Sequence, residues 1–342
     1  MKDSHRRAFL NRVAVAIAAT LLADAGPLDA AGFAVRPAED RIVVMRDGRP
    51  VGEYVFRDQK IPRPHWTSLR APDGTQVTRR HPPVAGADAV DHDTMHPGLW
   101  LAFGDLNGAD FWRNKGRIEH VRFVDDPVAG ADGVSFAAED RYAAPTGEEV
   151  CRGVSAFRVI AGEAIEPAVP GTVILMQFSL RSEREPLTFG PQHEMGLGIR
   201  VATPLVVKNG SGTITASHGG VNETGTWGRA GTWWDYSGTI DDARAGILIT
   251  AAADNLRPVW AHARDYGFLA LNPTGPPRRS ADGEPSEPFT VAKGDALRLK
   301  FAVLLYAQPA TDAWSPDAAG RAVAAALDAW KPREPAFDAP AP

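Results

Sequence analysis

The sequence predicts an all-β protein, an antiparallel β-supersandwich with one C-terminal helix. Polar and apolar residues alternate over many short segments, which is the pattern of half-buried strands. Asp-Gly, Gly and Pro residues separate these segments and favour turns. After residue 30, only one segment has the start signals of a helix, and no repeat or low-complexity linker divides the chain. We therefore predict a single domain over residues 31–342.

The strands follow from alternation and from the turns between them. Alternating segments flank Asp47-Gly48 and Asp73-Gly74, so each dipeptide should form the turn of a hairpin. In the last predicted strand, alternate apolar residues should face the core, and Arg298 and Lys300 should face water. The predicted strands are 41–46, 51–56, 65–70, 76–80, 118–124, 134–142, 150–160, 171–180 and 296–306.

The helix is predicted near the end of the chain, over about residues 316–330. Ser315 has the side chain of a good N-cap, and Pro316 suits the first helical position. The Pro-rich tail, residues 332–342, should be frayed.

Residues 1–30 are predicted to be a removable export signal. The pair Arg6-Arg7 precedes an apolar run over 13–23, and small residues suitable for cleavage follow. The run is about half of the ~20 residues that a membrane-spanning helix needs. We therefore expect twin-arginine export to the periplasm and no membrane span in the mature chain.

Composition excludes several other classes of protein. The formal net charge is −5 and there is no basic run, which argues against a nucleic-acid partner. Cys151 is the only cysteine, so no internal disulfide can form, and we expect a buried, inert thiol. Hydrophobic residues make up 44% of the chain, which is enough for a large core.

The densest group of functional side chains lies in residues 91–112. His92, His96, Asp105 and Asn107 occur there beside Trp100 and further aromatic residues. A core strand would need a partner for each polar group, and a disordered loop would not carry so many large rings. This segment therefore suggests a polar small-molecule site, with sugars as the leading ligands. The alternative is a glycine-bent strand whose rings are core and whose imidazoles are structural.

Two further segments could bring charged groups to the same site. His193 and Glu194 are neighbours, so on a strand they would face opposite sides unless the chain turns just before them. Glu194 would share a face with Arg200, either as a substrate clamp or as an exposed ion pair. His262 and Arg264 would share one side of a later strand, where His262 is either functional or a structural histidine.

Aromatic residues are concentrated in residues 225–238. Three Trp lie there among glycines, next to Asp235. Such rings could stack on a sugar while Asp235 binds its hydroxyls. Alternatively, the segment packs beneath the sheet, and we expect at least one of Trp233 and Trp234 to be core.

These residues also carry a resemblance to a known family. Asp91-His92, the sequence His-Pro-Gly-Leu-Trp over 96–100, Asp-Leu-Asn-Gly over 105–108 and Phe111-Trp112 resemble the PmoA-like family of unknown function, DUF6807, which bears the label "methane oxygenase PmoA". The likeness continues in order through most of residues 35–310. The family usually has two adjacent His before the Gly-Leu-Trp, whereas Met95-His96 stands here, so His96 is the imidazole to rely on.

The resemblance implies a fold similar to the galactose-mutarotase-like β-sandwiches, in which His and carboxylate side chains on a concave sheet act on sugar rings. We therefore expect an exported, carbohydrate-active enzyme of the epimerase, lyase or hydrolase type, working by general acid–base catalysis. The expected catalytic residues are His96, His193, Glu194 and His262. The expected substrate-binding residues are His92, Trp100, Asp105, Asn107, Arg200, Trp234, Asp235 and Arg264.

Two other functions stay open at this point. One is a non-catalytic carbohydrate-binding protein, and the other is a metal-dependent oxygenase or lyase, as the family label suggests. No cofactor is expected, although five imidazoles (His92, His96, His120, His193 and His262) could in principle supply ligands to a divalent metal. We also expect that alanine in place of His96 abolishes activity and leaves the melting temperature nearly unchanged.

Overall fold

The computed structural model describes residues 32–274, 288–333 and 337. The predicted signal over residues 1–30 and most of the tail predicted to be frayed lie outside these residues. Within the described part of the chain, no helix is both long and apolar enough to span a bilayer.

Two eight-stranded antiparallel sheets dominate the structure, and they confirm the predicted β-supersandwich with a C-terminal helix. The first sheet has the strand order β1-β2-β3-β4-β5-β11-β16-β15, and the second has the order β12-β13-β14-β18-β9-β8-β7-β6. Strands β10 and β17 form a separate ribbon. The strands are β1 (Phe33–Pro37), β2 (Arg41–Arg46), β3 (Arg49–Val55), β4 (His65–Thr67), β5 (Leu99–Phe103), β6 (Arg117–Gly130), β7 (Gly133–Ala143), β8 (Glu149–Ala161), β9 (Thr172–Arg181), β10 (Leu187–Phe189), β11 (Met195–Arg200), β12 (Thr213–Ala216), β13 (Trp233–Ile240), β14 (Ala243–Ala251), β15 (Trp260–Arg264), β16 (Phe268–Asn272), β17 (Phe289–Val291) and β18 (Ala296–Pro309). The α-helices are α1 (Asn222–Thr226) and α2 (Pro316–Ala329).

One of the two Asp-Gly dipeptides forms the predicted hairpin, and the other forms a turn without paired strands. Asp47 and Gly48 both adopt positive φ, of 50° and 72°, and close the predicted hairpin between β2 and β3. Around Asp73-Gly74 the chain also turns, but the flanking segments share the isolated bridge between Arg70 and Gln76 instead of a regular ladder. Ser68 has a φ of 55°, and the Leu69 N–H donates to the side-chain hydroxyl of Thr78. The predicted strand over 65–70 therefore ends early, at Thr67.

The main core lies between the two sheets, and β18 has both of its faces covered. Alternate apolar side chains from Leu297 to Leu305 point into the main core, as predicted. The intervening residues Leu304 and Tyr306 pack beneath α2. Lys300 was expected to face water, but it is buried, and its backbone exchanges two hydrogen bonds with the side-chain amide of Asn255, at 2.7 and 2.9 Å. A second layer over the outer face of the second sheet explains this difference.

Helix α2 provides that layer. It begins as predicted, with Pro316 at the first position and the Ser315 hydroxyl accepting a hydrogen bond from the Ala318 N–H at 3.2 Å. Its apolar stripe, which includes Ala322, Val323 and Leu327, packs on the second sheet. The helix therefore closes the side of the protein that lies opposite the first sheet.

Cys151 is buried on β8, as expected. Burial raises the pKa of its thiol well above the ordinary value, and the nearby Glu149 carboxylate adds to this effect. The thiol therefore stays protonated in the folded protein.

Candidate functional site

The candidate site lies on the face of the first sheet that is turned away from the main core. Register places Trp100, Gly198, Ala270 and His262 side by side across β5, β11, β16 and β15. Two residues further along these strands, Arg200 of β11 pairs with Phe268 of β16, which in turn pairs with Arg264 of β15. Because side chains alternate along a strand, the intervening leucines and Ile199 point into the core. We call this surface the site face.

Small residues in the middle of the site face make room for large rings. A Cβ atom on Gly198 would come within 2.6 Å of the Trp100 ring and 2.9 Å of the Trp112 ring. Glycine at this position therefore allows both indoles to lie directly over the sheet. The guanidinium of Arg63 lies over the Trp100 ring, 5.5 Å from its centre.

Five nearly parallel rings lie together on the site face. We call them the ring cluster, which consists of His92, His96, Trp100, Tyr266 and Phe268. His96 lies nearly parallel to Trp100, Phe268 and His92, with centroid distances of 5.1, 4.7 and 4.8 Å. Tyr266 extends the cluster, parallel to His92 at 6.1 Å and an interplanar angle of 9°. His96 is only 4% exposed, whereas the side chain of His92 is 42% exposed. The cluster is therefore deep at His96 and open at His92.

Asp91 and Arg200 supply the charges beside the ring cluster. Both guanidinium NH2 groups of Arg200 donate to the Asp91 carboxylate, at 3.0 and 2.8 Å, and the same guanidinium lies 4.6 Å from the centre of the Tyr266 ring. The Asp91 carboxylate also lies 2.8 Å from Nδ1 of His92. One carboxylate thus orients both an imidazole and a buried guanidinium.

These contacts decide the charge states in the site. Burial lowers the pKa of His96 well below its ordinary value, and the positive charge of Arg200 lowers it further. His96 is therefore a neutral imidazole at neutral pH, with Nδ1 at 3.5 Å from Nη1 of Arg200. Burial alone would raise the pKa of Asp91, but the hydrogen bonds of His92 and Arg200 outweigh it and lower the pKa to about 2.

Two buried arginines hold the loop that carries Asp91, His92 and His96. Arg79 donates to the backbone carbonyls of four loop residues, which are Ala89, Asp91, His92 and His96. Arg63 donates to the Met95 carbonyl and to the carbonyls of Phe111 and Trp112. Guanidinium-to-carbonyl bonds therefore fix a loop that makes few regular strand contacts.

A second side of the site is formed around His262 and Arg264, as the alternation of β15 predicts. His262 is buried and stacks on the Trp227 ring at 5.0 Å. Arg264 lies over the same indole, 3.6 Å from its centre, and donates to the Glu223 carboxylate at 2.8 Å. The short helix α1, which the sequence did not predict, carries Glu223 to this position.

The loop before β11 brings His193 and Glu194 to a third side. The chain turns there, so the two side chains do not follow the strand alternation. Glu194 forms an ion pair with Arg113, and His193 packs edge-on against Trp260 at 6.0 Å. Asn272 donates from its side-chain amide to the His193 carbonyl at 3.2 Å, which ties the loop to β16.

Tyr266 lies among the charged groups of all three sides. Burial raises the pKa of its hydroxyl. The positive charges of Arg200 and Arg264 act against that increase, and the negative charges of Asp91 and Glu194 add to it. These four groups therefore lie close enough to Tyr266 to share one electrostatic environment.

Asp105 and Asn107 shape a neighbouring turn instead of reaching the ring cluster. Asp105 accepts a hydrogen bond from the Gly108 N–H at 3.0 Å. The amide of Asn107 binds the Pro186 carbonyl and the Thr188 N–H, at 3.0 and 2.6 Å. These bonds dock the turn on β10, next to the loop that carries His193 and Glu194.

Trp234 and Asp235 lie on the second sheet and not on the site face. Trp234 is fully buried in the main core, and Trp233 packs beneath α2, so the expectation that at least one of them is core is confirmed. Asp235 accepts hydrogen bonds from Tyr306, Ser237 and Trp314. Burial raises its pKa to about 6, although these hydrogen bonds act in the opposite direction.

The imidazoles considered as metal ligands do not converge on one another. His92 and His96 are stacked, and because nitrogen lone pairs lie in the ring plane, parallel rings direct them side by side. His120 pairs with Asp140 at 3.6 Å, away from the site face. Within the described ranges, the one group with converging ligand atoms is Asp58, His65 and His81, none of which the sequence analysis had selected.

Other residues that complete the candidate site were not predicted from the sequence as site residues. They include Asp91 and Phe268, and also Tyr266, Trp227, Arg113 and Glu223, which contact the predicted residues from other segments of the chain. A signal existed for Tyr266, which follows Arg264 by two residues, and for Trp227, which belongs to the aromatic segment over residues 225–238. The partners Arg113 and Glu223 carried no such signal.

Solved structures with some similarity to this chain are distant from it. A galactose mutarotase-like protein from Lactobacillus casei is 11% identical, with 80% of this chain and 100% of that protein covered and a TM-score of 0.35. A galactose mutarotase related enzyme from Lactobacillus acidophilus is also 11% identical, with 83% and 100% covered and a TM-score of 0.29.

A third similar structure belongs to a protein described as a kojibiose phosphorylase from the human microbiome. It is 7% identical, 62% of this chain is covered, and the TM-score is 0.31. The chain spans about a quarter of the length of that protein, since 24% of it is covered.

Comparison of the sequence itself gives one assignment. No curated protein matches the chain. The sequence model of DUF6807, a family of unknown function, matches residues 41–319, which is most of the chain. The protein is therefore a member of DUF6807.

Proposed function

We propose that the protein is an exported enzyme that acts on a sugar or an oxidised sugar by general acid–base catalysis at the ring cluster. One observation carries this proposal. A carboxylate-oriented imidazole, a neutral buried imidazole and a buried guanidinium meet beside a half-buried tyrosine and a stack of rings. The metal-dependent oxygenase suggested by the family label is a competing proposal that the assay below separates.

The partly exposed rings and the charged groups of the candidate site favour a carbohydrate. Sugars present an apolar C–H face, which stacks on aromatic rings, and a rim of hydroxyls, which bind charged and polar groups. His92, Tyr266 and Trp227 provide partly exposed rings. The ion pairs Arg113–Glu194 and Arg264–Glu223 provide polar groups at the rim.

The two histidines of the cluster suit different parts of the reaction. His92 is the more exposed imidazole, and Asp91 at 2.8 Å fixes its ring, so His92 can exchange a proton with a substrate. His96 is neutral and its burial opposes protonation, so it can accept a hydrogen bond from a substrate hydroxyl, and Arg200 beside it can stabilise negative charge on a substrate oxygen. Removal of a proton next to a carbonyl, followed by its return or by elimination, needs these groups and no covalent intermediate.

His193, Glu194 and His262 are assigned supporting roles in the same proposal. Glu194, which pairs with Arg113, can bind sugar hydroxyls through its carboxylate. His262 stacks on Trp227 and supports that ring. His193 packs on Trp260 and shapes the loop that presents Glu194.

The proposal is tested with the purified full chain and a panel of unmodified and oxidised sugars in deuterated water. NMR should show hydrogen exchange at a carbon or a new product with at least one sugar. His92→Gln and His96→Phe should each lower this rate by on the order of 10²-fold or more. His218→Ala is the matched control, because His218 is exposed and accepts a hydrogen bond from the Gly220 N–H in its own turn.

Other results would support other functions. Binding of a sugar without exchange or product, unaffected by His92→Gln, would indicate a carbohydrate-binding protein. Activity that is lost on treatment with a chelator while the melting temperature stays unchanged, and that a metal restores, would indicate the metal-dependent oxygenase or lyase. Absence of both binding and turnover across the panel would overturn the carbohydrate proposal.

A further inference from the structure

We propose that Asp58, His65 and His81 form a binding site for one divalent transition-metal ion, with Zn²⁺ as the first candidate. We call these residues the His-His-Asp triad. The site is separate from the ring cluster, and the inference does not depend on the proposed carbohydrate chemistry.

Three different segments bring the triad together. Asp58 follows β3, His65 begins β4, and His81 lies in the chain after the turn at residues 73–74. One ligand atom from each residue lies within 4.8 Å of the other two. The two imidazole rings are nearly perpendicular, at 80°, with centroids 5.8 Å apart. Rings in this arrangement can direct in-plane lone pairs at a common point, unlike the parallel rings of His92 and His96.

His65 has the environment of a metal ligand. Its Nδ1 lies 3.1 Å from the Arg63 carbonyl, and since a carbonyl only accepts, Nδ1 carries the hydrogen. The lone pair is therefore on Nε2, which has no hydrogen-bond partner in the described part of the chain, although His65 is only 1% exposed. A backbone carbonyl on the distal nitrogen is the usual way in which proteins orient a ligating histidine. A buried nitrogen without a partner is costly, and a metal ion would remove that cost.

His81 and Asp58 can supply the other two ligand atoms. Nδ1 of His81 is buried and likewise has no partner in the described ranges. The Asp58 carboxyl accepts two backbone N–H groups through Oδ1, from Lys60 at 2.7 Å and Ile61 at 2.9 Å. These bonds engage Oδ1 and leave Oδ2 for the metal.

The donor set selects the class of metal. Two imidazole nitrogens and one carboxylate suit Zn²⁺ and its transition-metal neighbours, whereas Mg²⁺ and Ca²⁺ prefer oxygen ligands. Three protein ligands leave a further coordination position. Asp58 is partly exposed, so water can occupy that position.

The place of the triad in the chain suggests a structural role for the ion. Arg63 and Arg79, which hold the loop that carries Asp91, His92 and His96, stand two residues before His65 and His81, respectively. A metal that ties His65 to His81 would therefore fix the two segments from which these arginines extend. Loss of the ion should lower the melting temperature.

The test uses the full chain after dialysis against a chelator. Calorimetric titration with Zn²⁺ and metal analysis after gel filtration should give one ion per chain, and the melting temperature should rise on addition of Zn²⁺. Asp58→Asn keeps the Oδ1 acceptor of its turn and removes the anionic oxygen, so it should fold and bind Zn²⁺ at least about 10-fold more weakly. His81→Ala should have the same effect, and His218→Ala should bind as the wild type does.

Clear outcomes would overturn the proposal. Wild-type protein that takes up no Zn²⁺ and gains no thermal stability from it has no such site. The same conclusion follows if Zn²⁺ binds but Asp58→Asn and His81→Ala bind it as tightly as His218→Ala does. Mg²⁺ in excess should not displace Zn²⁺, and displacement would contradict the assignment of the metal class.

Discussion

Arg200 is 1% exposed and its charge is balanced by Asp91, which holds the guanidinium through two hydrogen bonds of 3.0 and 2.8 Å. The partner carboxylate is 41% exposed, so water reaches only one member of the pair. Removing Asp91 would therefore leave a buried positive charge beside a neutral imidazole. The ring cluster depends on this pair for both its geometry and its charge.

Asp91→Asn should destabilise the protein and weaken its response to acid. The pKa of Asp91 is about 2 in the folded protein and 3.8 ordinarily, so its contribution to stability is complete above pH ~4 and is lost as the pH falls towards 2. Because the carboxylate is partly solvated, we expect a loss of about 1 kcal/mol at pH 7. Chemical denaturation at several pH values measures the free energy of unfolding. If this free energy falls equally between pH 4 and 2 in wild type and variant, the prediction is contradicted.

His96→Ala should cost stability as well as activity. The sequence-based expectation was an unchanged melting temperature, but the imidazole is 4% exposed and stacks on three rings. A cavity at this position should cost about 2–3 kcal/mol. His96→Phe preserves the stack and should be more stable than His96→Ala, yet equally inactive. Urea denaturation compares the two, and equal losses would indicate that the Arg200 contact matters more than the stacking.

Asp235→Asn should change stability in a pH-dependent way without changing sugar binding. The pKa of Asp235 is about 6 in the folded protein and 3.8 ordinarily, so folding is favoured by the protonated form, and stability falls as the pH rises from about 4 to 6. Asparagine does not titrate, so the variant does not lose stability in this way. The difference in free energy of unfolding between wild type and variant should therefore shrink by on the order of 2–3 kcal/mol between pH 4 and 7. A difference in free energy of unfolding that stays constant with pH, or a loss of sugar affinity at unchanged stability, would argue against a buried Asp235 that lies away from the site face.

Export should require the arginine pair near the start of the chain. Replacing Arg6 and Arg7 together by Lys should retain the precursor in the cytoplasm of a bacterium that has the twin-arginine pathway, because that pathway reads the pair directly. Cell fractionation measures the distribution. Replacing Arg12 by Lys is the matched control, and undisturbed periplasmic delivery of the double variant would refute twin-arginine export.

Sequence reasoning was strongest where local pattern determines structure. Alternation located the five longest strands but missed β13 and β14, and the cap at Ser315 located α2, because these signals depend on neighbouring residues. It also placed His262 and Arg264 on one face, since their spacing fixes their relative direction. Lys300 was misplaced because a layer from a distant part of the chain covers that face of β18.

The candidate site could be recognised only in part, because tertiary contacts assemble it. Trp234 and Asp235 looked suitable by residue type, but their strand belongs to the second sheet and alternation separates the two side chains. The His-His-Asp triad gave no local signal, since 16 positions separate its two histidines and no helix aligns them. Partners such as Arg113 and Glu223 depend on loop conformation, which composition does not encode.

The hydrogen bonds from Arg63 and Arg79 to backbone carbonyls have a consequence for how the candidate site can evolve. They anchor the loop over residues 89–96 through its carbonyl oxygens, which every amino acid possesses. Outward-facing positions such as Asp93 can then change identity while the path of the chain is kept. New ligand preferences can arise there by substitution alone, with no redesign of the framework beneath.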